Sequence, residues 1–85
     1  MFNYKVYVTL NEGEQALVDW QYVNTGCFSN KLMDLIGKAD GTNKARLALA
    51  YPLHVEAYHD YATVNGWWTD LQKRLLQTPL YDVNS

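Results

Sequence analysis

One cysteine, two prolines and five glycines in 85 residues leave this chain with few covalent or conformational punctuation marks. With Cys27 alone, an intramolecular disulfide is excluded, which fits a reducing compartment better than secretion. No apolar run approaches the roughly 18 residues that a bilayer-spanning helix needs. No basic-then-apolar leader opens the chain. A cytoplasmic protein without a membrane segment, made as read, is the expectation. A basic excess is missing as well: seven Lys and Arg stand among nine Asp and Glu, for a net charge of −2. Nucleic-acid binders carry a basic stripe that displaces counterions from phosphates, so direct binding to DNA or RNA is not expected. Internal repeats and linkers are absent too, which points to one small domain over residues 1–85, with a loose tail over 79–85.

What the chain does have is apolar and aromatic matter. Hydrophobic residues make up 48% of it, and three tryptophans and seven tyrosines supply most of the aromatic share, which excludes disorder through low hydrophobicity. Each such ring can bury on the order of 150–250 Å², so a handful can support a small core.

Residues 2–10, "FNYKVYVTL", alternate Phe2, Tyr4, Val6, Val8 and Leu10 against Asn3, Lys5, Tyr7 and Thr9. A period of two in aromatic and β-branched residues predicts a strand with one buried face. A lone strand needs a partner. "NEGEQALVDWQYV" has two readings. Asn11 and Glu14 form a capping-box pattern, with Leu17, Trp20 and Val23 at helical spacing. Ala16, Val18, Trp20 and Tyr22 also alternate, as the return strand of a hairpin would. The helix is preferred. "CFSNKLMDLIGKA" predicts a helix with Phe28, Leu32, Leu35, Ile36 and Ala39 on one stripe, and Asn30, Lys31, Asp34 and Lys38 on the other side. Asp34 precedes Lys38 by four residues, the favourable order for an ion pair. A short apolar helix from Thr42 reads as central, allowing close approach of its neighbours. Pro52 ends it and opens the next helix, where Ala57, Tyr58, Tyr61 and Ala62 face inward. Asn65-Gly66 supplies a left-handed helix end. The last helix runs from Trp67 to about Gln77, with Trp68, Leu71 and Leu75 inside and Trp67 at the border beside Asp70 and Arg74. The fold class expected is α+β: an N-terminal strand or β-hairpin packed on three to four short helices.

No catalytic, cofactor or metal constellation emerges. Cys27 has no base placed by spacing and reads as a small buried thiol at a helix start. His54 and His59 are five apart, not the three or four of ligands on one helical face. Glu56 and Asp60 read as a solvated face, lacking a pocket to shift their pKa. "KADGTNKA" lacks both the phosphate-loop and the calcium-loop pattern. The remaining candidate is a partner-binding rim of Trp67, Arg74, Asp70 and Asp60, because tryptophan and arginine are over-represented among binding hot spots.

The run from Thr25 to Trp68 carries a longer pattern: Gly26 and Phe28, then Lys38-Ala39-Asp40, Asn43, Leu47-Ala48, Pro52, Val55-Glu56-Ala57-Tyr58, Tyr61 and Gly66-Trp67. It resembles small uncharacterised proteins of phages and prophages, with Cys27 departing from the small residue usual after the glycine. The matching positions fall at caps, turns and core, so the resemblance implies a fold signature rather than an active site. The resemblance bears on provenance and is nearly silent on activity; the function expected is that of a non-enzymatic accessory protein of phage type in the host cytoplasm. Such a protein would act by binding a host or phage protein and occluding it, a host defence or replication factor or another nucleic-acid-handling complex among the targets. Trp67 would fill a pocket, Arg74 pair with a carboxylate, and Asp60 and Asp70 steer a basic partner. The alternative is a structural protein forming a homodimer by edge pairing of its N-terminal strand.

Overall fold

A computed structural model describes residues 2–76. Six helices follow one another: α1 (Tyr4–Tyr7), α2 (Glu12–Tyr22), α3 (Phe28–Lys38), α4 (Gly41–Ala50), α5 (Pro52–Thr63) and α6 (Trp67–Leu75). The described residues are 76% helical and contain no strand or sheet. The α+β expectation is therefore corrected to an all-helical fold. The tail over 79–85 and the predicted end of the last helix at Gln77 lie outside the described residues.

The N-terminal segment shows why the strand was misread. Asn3 caps a single helical turn, its Oδ1 accepting the Lys5 N–H at 3.1 Å. Residues 8–10 then tighten into turns, with the N–H groups of Val8, Thr9 and Leu10 donating to the carbonyls of Tyr4, Val6 and Tyr7. The alternating set Phe2, Tyr4, Val6, Val8, Leu10 contains a second period, because Phe2, Val6 and Leu10 are four apart. Leu10 is buried, Phe2 and Val6 are half-buried, and Tyr4 and Val8 are 69% and 68% exposed. Every other described element is a helix, so a strand here would leave its backbone groups unpaired. Instead the Asn3 N–H donates to the Leu75 carbonyl at the end of α6. The Tyr7 hydroxyl donates to Asp19 Oδ1 at 2.9 Å, and Gln15 Nε2 to the Tyr7 carbonyl at 3.1 Å. The turn is thus clamped to α2.

The helical reading of residues 12–22 is the correct one. Asn11 Oδ1 accepts the Glu14 N–H at 2.8 Å and Glu14 Oε1 accepts the Asn11 N–H at 2.9 Å, a complete capping box. Adjacent Leu17 and Val18 are both fully buried, and they face different clusters. One cluster joins Leu17 and Ala16 to Leu32, Met33 and Ile36 of α3; the other joins Val18 to Leu10, Leu71 and Leu75. Helix α2 is therefore the central element. It also runs very close to α5, since a Cβ on Gly13 would overlap the Leu53 backbone carbonyl. The central role expected for α4 falls to α2, because α4 has no buried residue.

Aromatic rings tie the two clusters together. Trp20 lies 5.8 Å from Tyr58 and 6.0 Å from Tyr61, Tyr61 lies 6.0 Å from Trp68, and Trp68 lies 5.8 Å from Tyr22, mostly edge-on or tilted. These are the geometries that ring quadrupoles favour. Trp20 Nε1 donates to Asp34 Oδ1 at 2.9 Å, so the Asp34 carboxylate serves α2. Asn30, expected on the polar side of α3, is fully buried, and its Oδ1 accepts the Thr25 N–H at 2.9 Å, pinning the loop before α3. The Asn30 Nδ2 has no hydrogen-bond partner.

Candidate protein-binding surface

Gly66, with φ of 83°, makes the turn that starts α6. It sets Trp67, Asp70 and Arg74 on one side of that helix, three and four residues apart. Asp70 and Arg74 are exposed, as the sequence reading required of rim residues, while Asp60 is half-buried on α5. Trp67 is also half-buried, and it packs against both core clusters, as does Trp68. The two neighbouring tryptophans thus share the junction of the cores instead of dividing into one inside and one at the border. Trp67 is held in place by packing, and Arg74 is the freer member of the set.

The groups weighed for chemistry are dispersed. Cys27 is exposed, not buried; its Sγ lies 3.4 Å from Ser29 Oγ at the N-cap of α3. The Ser29 hydroxyl, followed by the Asn30 backbone N–H, holds the thiol below its ordinary pKa. The His54 ring stands edge-on to Tyr51 at 5.6 Å. His59 and Glu56 are exposed one turn apart. Among the described residues, no group of three or more His, Cys, Asp or Glu is placed to hold a metal ion. None of the described helices is long and apolar enough to cross a membrane.

Exposed apolar side chains lie on α3 and α4, as they do at the N-terminal turn, where Tyr4 and Val8 stand out. Helix α3 buries Asn30, Leu32, Met33 and Ile36, so its core face is turned by roughly a quarter of a helical wheel from the predicted stripe. Phe28 and Leu35 end on the flank, 68% and 52% exposed. Helix α4 begins at Gly41, its N-cap Asp40 accepting the Asn43 N–H at 2.8 Å. Half of its ten residues are Ala or Leu, yet Leu49 is 87% exposed. A groove opens on each side of α4. One, of about 470 Å³, lies against α3 and is lined by Leu35, Ala39, Leu47 and Ala50, with Lys38 and Arg46 on its walls. The other, of about 400 Å³, lies against α5, with Ala45, Ala48, Pro52 and Val55 lining it.

Sequence reasoning missed this surface because it assigned Phe28 and Leu35 to the core and α4 to the centre. A signal was available. Ala45, Leu47, Ala48, Leu49 and Ala50 encircle α4, and a chain this short has too few neighbours to cover a helix from every side. No family model, curated protein or solved structure matches this chain in the three comparisons made.

Proposed function

We propose that this chain is a non-enzymatic accessory protein that binds another protein and occludes it, using the flank of α3 and α4 as its main contact. The observation that carries the reading is α4 itself: a helix half made of Ala and Leu with no buried residue. A short helix derives most of its stability from packing an apolar face, and contiguous apolar surface left open marks an interaction site. Leu49, Phe28 and Leu35 are the large apolar side chains these two helices leave exposed. The rim on α6 serves as a second contact, in which Arg74 pairs with a carboxylate while Asp60 and Asp70 attract basic groups. Resemblance of residues 25–68 to phage-encoded proteins supports a host protein as the target, a defence or replication factor met in the host cytoplasm. Homodimerisation by edge pairing is not proposed, because residues 2–10 form no strand.

Affinity capture from host lysate tests the reading. Wild type is compared with Leu49→Glu and Arg74→Glu, both at exposed positions where folding is undisturbed. The expected result is a protein retained by wild type, lost with Leu49→Glu and weakened with Arg74→Glu. Identical retention by all three forms would contradict the proposal.

A further inference from the structure

Charge is unevenly placed along the chain. Four of the seven basic residues, Lys31, Lys38, Lys44 and Arg46, fall between Phe28 and Ala50, against two of the nine acidic ones, Asp34 and Asp40. The remainder is correspondingly acidic. Both acids at this end already have local partners: Asp34 takes the Trp20 indole N–H and Asp40 takes the Asn43 N–H. Lys38 and Arg46 stand on the walls of the groove between α3 and α4, together with Asp40 and Asn43, so cations outnumber acids there two to one; the floor is Leu35, Ala39, Leu47 and Ala50. Arg46 makes one long hydrogen bond, Nη1 to Asn43 Oδ1 at 3.3 Å.

From this arrangement we infer that the groove between α3 and α4 docks an acidic amphipathic helix of a partner protein. The inference rests on the protein-binding reading and names the occupant. An amphipathic helix lays an apolar stripe into an apolar groove and places its charges at the rim. The ten-residue α4 gives a wall about 15 Å long, matching some three turns of such a helix. Lys38 and Arg46 pair with carboxylates flanking the stripe, and outside the Lys73–Arg74 end of α6 the acidic remainder of the chain disfavours such a partner. Nucleic acid is the poorer occupant, because the groove floor is aliphatic and the cations are few and interleaved with acids.

The experiment is an NMR titration of the full chain, labelled with ¹⁵N, with three probes. The first is a synthetic amphipathic peptide of leucine and glutamate, about 18 residues or five helical turns long. The second is its counterpart with lysine for glutamate, and the third a thymidine oligonucleotide. The acidic peptide is expected to shift the amides of Leu35, Lys38, Arg46 and Leu47 in a saturable, salt-sensitive way. In the double variant Lys38→Glu, Arg46→Glu its affinity should fall by at least about tenfold, as reversal of two interface charges implies. These side chains are exposed, and unchanged amides elsewhere in the spectrum report that the variant is folded. No saturable shift, an equal response to the lysine peptide or the oligonucleotide, or shifts confined to α6 would overturn the inference. The capture experiment separates the two proposals. Leu49-dependent capture without a groove response removes the acidic helix alone, whereas capture that ignores Leu49 removes the protein-binding reading.

Discussion

Tyr7 is the residue whose environment most directly couples protonation to folding. Burial first, and then the hydrogen bond to the Asp19 carboxylate, push its pKa from the ordinary 10.0 up to about 12. The neutral phenol is the form the fold favours, so its contribution is complete below pH 10 and is lost as pH rises through 12. Urea titrations at stepped alkaline pH should show stability falling across that window, with Tyr7→Phe lying below wild type at neutral pH by about 1 kcal/mol for the lost hydrogen bond. The gap should close as the window is crossed; a gap that holds constant to pH 12 would refute the assignment. Gly13 makes a different demand. A methyl there meets the Leu53 backbone, which cannot rotate away as a side chain can. Gly13→Ala should therefore lose about 1–3 kcal/mol in denaturant unfolding despite its better helix propensity. Trp67 packs on both clusters while half-buried, so Trp67→Ala should cost toward the lower end of the roughly 3–5 kcal/mol of core tryptophan truncations. That loss would confound binding with folding, which is why Arg74 is the better probe of the α6 rim.

Among the elements, those with a self-contained local signal were legible in the sequence. The Asn11–Glu14 capping box identified the start of α2, Pro52 the start of α5, and Asn65-Gly66 the turn before α6. Asn11→Ala should cost about 1 kcal/mol by removing the side-chain acceptor of the Glu14 N–H, measurable as a lower urea midpoint. The signals that failed were those whose meaning depends on neighbours. Residues 2–10 satisfy both a two-residue and a four-residue period, and only the lack of any strand to pair with decides between them. On α3, seven apolar or small positions span more of the wheel than one core face needs. Which part is buried depends on where α2 lies: Trp20 of α2 bonds Asp34, and the buried face centres on Leu32, Met33 and Ile36. Leu35 is left lining the groove with α4, and Phe28 is left exposed with its ring 6.0 Å from that of Tyr51. That offset turned a core stripe into half of a candidate docking surface, and no count along α3 alone reveals it.

Over the molecule as a whole, α2 and α4 differ in how completely they are enclosed. Helix α2 carries a cluster on each side and holds α1, α3 and α5 around it, with aromatic rings from Tyr58 to Phe2 bridging the clusters. Helix α4 buries none of its residues fully, packing half-buried Leu47 against the α2–α3 cluster and placing Lys44 5.8 Å from the Tyr58 ring centre. Composition made the aromatic core legible. It could not show that Lys38 and Arg46 line one groove, because this depends on α3 and α4 lying side by side.

Amide hydrogen exchange on the isolated chain, resolved by residue, tests this division most directly. Local openings expose amides in regions with few buried apolar contacts, and global unfolding alone exposes those of the core. Leu17, Val18 and Ile36 should exchange only through global unfolding, while the amides of residues 46–50 exchange faster by about a hundredfold or more, the signature of an opening roughly 3 kcal/mol less costly. Equal protection in α2 and α4 would mean that the α4 flank is already as firmly held as the core, and the open docking surface would have to be given up.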